Sequence, residues 1–133
     1  MNARVADKAD FIADVDSLPP RTVIDTTASG HGEALIDFCL DTKMSIINGR
    51  ISPINNNYTC ISSKGMSMVD YFLCKYDSLC NVQEFKVITM SEAIKDVGIG
   101  ETSRLPSSIS DHSLLCMYTS FGPDFVCYMI HPL

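Results

Sequence analysis

Residues 66–75 of this chain have the sequence MSMVDYFLCK. Its side chains are almost continuously apolar, which is typical of a strand buried in a sheet. Asp70 interrupts the run. A buried carboxylate is costly unless it is paired or hydrogen-bonded. Asp70 therefore either points to solvent at a sheet edge or has a partner inside the molecule.

A second polar interruption lies in SSISDHSLL at residues 107–115, where Asp111 and His112 precede another apolar run. Neighbouring strand residues point to opposite faces, so each of the two needs its own partner. One interpretation pairs Asp70 with His112, so that the carboxylate holds one imidazole nitrogen and leaves the other for chemistry. Asp111 would then face a hard cation such as Mg²⁺, which takes oxygen ligands.

Two other interpretations stay open from the residues alone. Asp70 can lie at an exposed edge, with residues 110–112 as the ordinary polar start of a strand. A serine hydrolase is disfavoured, because Ser110, Asp111 and His112 are consecutive and the chain has no GxSxG elbow.

The surrounding pattern predicts an α+β fold. Apolar positions with helical spacing predict one clear helix at about residues 31–44. The side chains expected to face the core are those of Leu35, Phe38, Cys39 and Thr42. Short apolar or alternating runs closed by turn residues predict strands in MSIINGR (44–50), the end of NNNYTCIS (55–62), MSMVDYFLCK (66–75), VQEFKVI (82–88) and SLLCMYTS (113–120). Adjacent strands with few helices between them favour a mixed, mainly antiparallel sheet.

Two segments have no clear pattern. Residues 89–109 form a long, polar, glycine-rich connection, and a connection of this length is uncommon inside a compact domain. Residues 121–133 form a tail whose role is unclear. We therefore expect SLLCMYTS to be the last core strand.

The composition restricts the class of protein. The chain has 133 residues, 46% of them hydrophobic and 20% charged, which predicts one ordered domain. Its net charge of −6 argues against a free-standing nucleic-acid binder. The six cysteines form no CxxC pair, and we expect free thiols in a reducing, intracellular compartment. Neither a signal peptide nor a membrane span is predicted.

These stretches together resemble a known family. MVDYFLCK, followed later by SISDHSLL, is similar to the closing signature of the endonuclease/exonuclease/phosphatase superfamily, which has the DNase I-like and exonuclease III-like fold. NARVAD at residues 2–7 resembles the continuation of that family's G-D-x-N motif. The stretches GHGEALIDFCLDTKMSIINGR and NNNYTCISSKGMSMVDYFL also resemble endonuclease domains of non-LTR retroelements.

The resemblance implies a fold and a set of roles. Residues 1–120 would form the C-terminal half of a four-layer α/β/β/α sandwich. Asp70 would orient His112, which would contact the scissile phosphate and polarise the attacking water. Asp111 would be the metal-side carboxylate, and Asn2 would hydrogen-bond the phosphate. The reaction implied is Mg²⁺- or Mn²⁺-assisted hydrolysis of a phosphodiester, with DNA in the nucleus as the favoured substrate.

The sequence also departs from the family pattern. The aspartate of G-D-x-N would stand before Met1, and the metal-binding glutamate of the first half of the domain has no counterpart. We therefore expect a fragment whose N-terminal half is missing, with Met1 an internal methionine. Such a fragment would bind Mg²⁺ weakly or not at all and would be inactive alone. The alternative is a degenerate, non-catalytic descendant that acts only as a binding domain.

Overall fold

The computed structural model describes residues 3–12, 20–98, 110–120 and 127–130. In chain order the elements in these ranges are α1 (Gly30–Thr42), β1 (Met44–Ile46), a 3₁₀ helix (Pro53–Asn55), β2 (Cys60–Ser62), β3 (Gly65–Ser67), β4 (Tyr71–Lys75), a second 3₁₀ helix (Tyr76–Asn81), β5 (Val82–Ile88), α2 (Met90–Val97), β6 (Leu114–Thr119) and β7 (Cys127–Ile130). The strands pair in small antiparallel sheets. The predicted α+β class is therefore confirmed at this level.

Strand β4 is the centre of a three-stranded sheet, with β1 on one side and β7 on the other. The register sets Ser45 opposite Cys74 and Ile46 opposite Leu73. Since side chains alternate along a strand, Ile46 and Leu73 lie on one face while Ser45 and Cys74 lie on the other. Residues on both faces of the sheet are fully buried, so each face has a covering layer.

Helix α1 covers the first face. The buried residues of this layer are Val5, Leu35, Ile36, Cys39, Met44, Ile46, Met68, Tyr71 and Leu73. Each fully buried aliphatic side chain of this size contributes about 1.5–3 kcal/mol relative to an exposed one. The helix is therefore held mainly by packing, as is usual for an amphipathic helix of this length.

Strands β5 and β6 form a separate two-stranded sheet that covers the opposite face. Its core consists of Ile47, Cys74, Leu79, Val82, Phe85 and Val87. The rings of Phe72 and Phe85 meet edge to face, with centroids 5.8 Å apart. The predicted alternation in 82–88 is confirmed, with Phe85 and Val87 buried. The described chain thus stacks as helix, sheet and sheet.

The buried face of α1 differs from the predicted one. Leu35 and Cys39 are buried as expected, but Phe38 and Thr42 are exposed and Ile36 is buried instead. The cause lies at the start of the helix, where Gly32 packs directly on the carbonyl of Arg4. Because of this contact, the buried face of α1 lies towards the segment that contains Val5.

The predicted strand 66–75 is broken. Residues 68–70 separate β3 from β4, because the Thr59 hydroxyl accepts the backbone N–H groups of Val69 and Asp70 at 2.8 and 3.0 Å. These two amides are thereby taken out of any strand ladder. The apolar pattern predicted a continuous strand because it reports burial, and Val69 is fully buried without being in a strand.

Two segments contain structure that the sequence pattern did not predict. Helix α2 lies within 89–109 and begins with a capping box, in which Thr89 and Glu92 bond each other's backbone N–H. Strand β7 lies within the tail 121–133 and pairs with β4. The tail therefore supplies a strand of the central sheet.

Strand β6 is also less buried than a core strand. Leu115 and Met117 pack on the second core, while Leu114 and Tyr118 are exposed on the other face.

Five cysteines have side chains that the structure describes, and all five are free thiols, as predicted. They are Cys39, Cys60, Cys74, Cys80 and Cys116. Among the described residues, neither helix has the length and apolar character needed to cross a bilayer.

Candidate functional site

Asp70 and His112 form a direct pair. His112 Nδ1 lies 2.7 Å from Asp70 Oδ2, so the predicted pairing is present. The carboxylate is buried, with 4% of its side chain exposed, whereas 36% of the His112 side chain is exposed. An ionised carboxylate only accepts hydrogen bonds, so Nδ1 donates to it. The pair therefore joins a buried anchor to a ring that solvent can reach.

Asp70 is held by backbone contacts on both sides. Its N–H donates to the Thr59 hydroxyl at 3.0 Å. Its carbonyl accepts the Asn48 side-chain amide at 3.1 Å, and Asn48 Oδ1 in turn accepts the N–H of Phe72 at 2.9 Å. Asn48 is buried and follows β1, so its side chain continues the pairing between β1 and β4 past the end of the ladder. The Asp70 backbone is thus fixed before its side chain makes any contact.

His112 is held by pairing with the segment around β2. It forms an antiparallel bridge with Cys60. The N–H of Ser113 donates to the Thr59 carbonyl at 2.8 Å, and the N–H of Ile61 donates to the Asp111 carbonyl at 2.7 Å. Thr59 therefore contacts the backbone on both sides of the site, through its hydroxyl to Asp70 and through its carbonyl to Ser113.

Thr59 and Asn48 are the site residues that sequence reasoning missed. No role in the site is predicted for either residue from the sequence. Both are buried polar residues in or beside apolar runs, the same signal that singled out Asp70. The signal is present at all three positions, but burying an unpaired carboxylate costs far more than burying a neutral polar side chain, so only Asp70 stands out.

Asp111 lies apart from this pair. It is exposed and lines a small cleft of about 180 Å³. The residues of this cleft are Ile61, Thr89, Met90, Ser91, Ser110, Asp111 and Ser113. The cleft brings the start of α2 beside the segment that carries His112.

Cys60, which bridges His112, is not an activated nucleophile. Burial raises the pKa of its thiol, and the negative charge of Asp111 raises it further. The thiol therefore stays protonated at neutral pH, whereas a nucleophilic cysteine needs a lowered pKa.

The described residues do not by themselves make a magnesium site. No group of three or more His, Cys, Asp or Glu side chains comes together in residues 3–12, 20–98, 110–120 and 127–130. Asp111 offers one carboxylate, and Mg²⁺ needs a near-octahedral set of oxygens. Asn2, the remaining predicted site residue, lies outside the described residues.

A larger cleft of about 500 Å³ lies away from the Asp70–His112 pair. It is formed by residues 54–57, by β5 and by Glu92, Lys95 and Asp96 of α2. Its walls carry amides and both signs of charge, and neither Asp70 nor His112 lines it. The geometry of the pair, rather than cleft size, therefore marks the candidate site.

Comparisons with known proteins found no protein similar to this chain. No protein-family model matches the chain, and neither the curated proteins nor the solved structures contain a match.

Proposed function

We propose that this chain carries the C-terminal part of a metal-dependent phosphodiesterase domain of the endonuclease/exonuclease/phosphatase type, with DNA as its substrate. The single observation that carries the proposal is the Asp70–His112 pair, with its buried carboxylate and its half-exposed ring. The resemblance of the sequence motifs supplies the reaction class.

The pair suits a histidine that acts on a phosphate. With Nδ1 engaged by Asp70, the nitrogen by which the ring would contact a substrate is Nε2. The anchored ring would present this nitrogen in one orientation, which reduces the entropy lost on reaching the reactive geometry. His112 would then hydrogen-bond the scissile phosphate and orient the attacking water.

The other proposed roles rest on the resemblance. Asp111 would supply one carboxylate to Mg²⁺ or Mn²⁺, with further ligands from a preceding half of the domain. When bound, the metal would stabilise charge on the phosphate and the leaving oxygen. Asn2 would hydrogen-bond the phosphate. In the four-layer sandwich that we propose for the complete domain, the helix–sheet–sheet stack of this chain would be one part.

Nicking of supercoiled plasmid in Mg²⁺ tests the proposal. The chain alone is expected to give no nicking, since the residues that the structure describes bring no group of three or more potential metal ligands together around Asp111. EDTA-sensitive nicking by the chain alone would contradict its assignment as an inactive part of the domain.

The catalytic role needs a longer protein, in which the first half of such a domain precedes residue 1. That protein is expected to nick plasmid, and Asp70→Ala and His112→Ala are each expected to abolish nicking with the fold retained. His31→Ala, at an exposed histidine of α1, is the matched control and should retain activity. If the longer wild-type protein binds DNA without cutting it, the chain belongs to a binding domain.

A further inference from the structure

Cys74 lies opposite another cysteine in the central sheet. Among the described strands, β7 is at the edge of this sheet, where it pairs with β4 over four residues. The register of this pair sets Cys127 directly opposite Cys74. Residues that oppose each other in an antiparallel pair lie on the same face of the sheet. The two cysteines, which are far apart in the chain, therefore share one cross-strand position.

The hydrogen bonds on the other side of β4 decide which type of cross-strand pair this is. The N–H of Ile47 donates to the Phe72 carbonyl at 2.9 Å, and the N–H of Tyr76 donates to the carbonyl of the residue before β1 at 3.1 Å. Backbone polar groups alternate in direction along a strand, so those of residues 72, 74 and 76 are directed towards β1. Cys74 and Cys127 are consequently a non-hydrogen-bonded pair between β4 and β7.

This type of position suits a disulfide. The Cα atoms of a non-hydrogen-bonded pair are about 4.5 Å apart. A disulfide joins residues whose Cα atoms are about 4.4–6.8 Å apart, so the backbone spacing of the pair already falls in the required range. Cys74 is present as a thiol, which is the reduced state, and it is fully buried in the second core.

We propose that Cys74 and Cys127 form a reversible cross-strand disulfide when the protein meets a peroxide. The proposal does not depend on the nuclease function. The sulfurs become accessible when β7, a short edge strand, opens locally from β4. Oxidation then joins the strand of the tail covalently to β4, the strand that begins directly after Asp70.

The reaction has two steps. One thiolate attacks a peroxide oxygen, which gives a sulfenic acid and releases hydroxide. The second thiolate attacks the sulfenic sulfur, so that the S–S bond forms and a second hydroxide leaves. The two hydroxides take up the two thiol protons. Two thiols and one hydrogen peroxide thus give one disulfide and two waters, and a thiol reductant reverses the change.

The test is treatment of the full chain with hydrogen peroxide, followed by alkylation of the remaining thiols and mass spectrometry without reduction. Digestion with trypsin and chymotrypsin places each of the six cysteines on its own peptide. The folded chain is expected to lose about 2 Da and to yield a Cys74–Cys127 peptide. The amides of β7 should exchange about tenfold more slowly after oxidation, because the bond restricts the opened state.

The same oxidation in urea is the control for chance pairing. In the unfolded chain the neighbouring pair Cys74–Cys80 should be favoured, since short loops close more readily than long ones. Cys127→Ser is expected to lose the disulfide of the folded chain.

Cys116→Ser, a matched change on β6, should keep the disulfide. The absence of a Cys74–Cys127 peptide from the folded chain, or the same pairing with and without urea, would overturn the proposal. If Cys127→Ser does not fold, the comparison of the folded and unfolded wild-type chain still decides.

Discussion

Asp10 and Asp70 are both buried aspartates, but their surroundings differ. The Asp10 carboxylate pairs with the buried guanidinium groups of Arg21 and Arg50 and accepts the backbone N–H of Ile46. The Asp70 carboxylate pairs with a ring that is partly exposed. The first arrangement holds charge inside the protein, and the second connects a buried anchor to solvent. The two buried carboxylates thus differ in their partners, because the partner of Asp70 can be reached by solvent whereas the arginines at Asp10 cannot.

Removing the charge of Asp10 should have the largest effect on stability. Asp10→Asn removes the carboxylate charge that pairs with the buried Arg21 and Arg50, and we expect it to lower the free energy of unfolding by about 3–5 kcal/mol. Urea unfolding measures this. Asp37→Asn, at an exposed position of α1, is the control and should change little. A small effect of Asp10→Asn would remove the contrast with Asp70.

Breaking the support of Asp70 should have the next largest effect. Thr59→Val removes the acceptor of two buried amides, those of Val69 and Asp70, and should cost about 2–4 kcal/mol. Thr59→Ser keeps the hydroxyl and should cost about 1 kcal/mol for the lost methyl group. Urea unfolding and hydrogen exchange of the two amides measure the difference. Equal stability of the two variants would show that the hydroxyl does not hold the backbone of Asp70.

A substitution of Asp70 itself should lower stability less than these two changes and should act mainly on the His112 ring. We expect Asp70→Asn to cost about 1–2 kcal/mol, since the half-exposed ring of His112 can bond water instead. In the wild type, neutral His112 should carry its proton on Nδ1, and the variant should lose this preference. Long-range ¹H–¹⁵N spectra identify the tautomer, with His31 as the internal control. An unchanged tautomer in Asp70→Asn would mean that the pair does not orient the ring.

Asp25 is a third buried aspartate, and we expect it to have the smallest effect on stability, which appears only at acid pH. Burial alone would raise its pKa, but hydrogen bonds from Arg4 and from the N–H groups of Met68 and Thr27 lower it overall. The pKa in the folded chain is therefore below that of the unfolded chain. The stabilisation that Asp25 contributes is present above its pKa in the unfolded chain, about 3.9. It is lost as the pH falls through the lower pKa of Asp25 in the folded chain.

Urea unfolding between about pH 5 and pH 2 measures this loss. Arg4→Gln removes the hydrogen bond that lowers the pKa of Asp25 most, so the variant should lose less stability over the same range. Lys75→Gln, which removes an exposed positive charge, is the control and should follow the wild type. If all three proteins lose stability equally, the Arg4–Asp25 pair does not set the acid response.

Much of the candidate site could be predicted from sequence, because two polar residues stand in or beside apolar runs. Asp70 interrupts one such run and His112 precedes another, and pairing them gives the buried carboxylate a partner. The roles of Thr59 and Asn48 could not be predicted in the same way. Neutral polar residues occur in turns as often as in networks, so their type does not reveal which backbone groups they bond.

Features with a local pattern can be predicted from the sequence alone. Residue spacing predicts the helix near 31–44 and the alternating strand 82–88, and side-chain chemistry predicts that a buried Asp70 needs a partner. Three features appear only when the layers pack together, namely the break in the run 66–75, the place of β7 in the central sheet, and the meeting of Arg21 and Arg50 at Asp10. Periodicity records which side chains are buried along one segment. The hydrogen bonds and ion pairs that decide these features join residues far apart in the chain, and their partners are set only when the layers pack together.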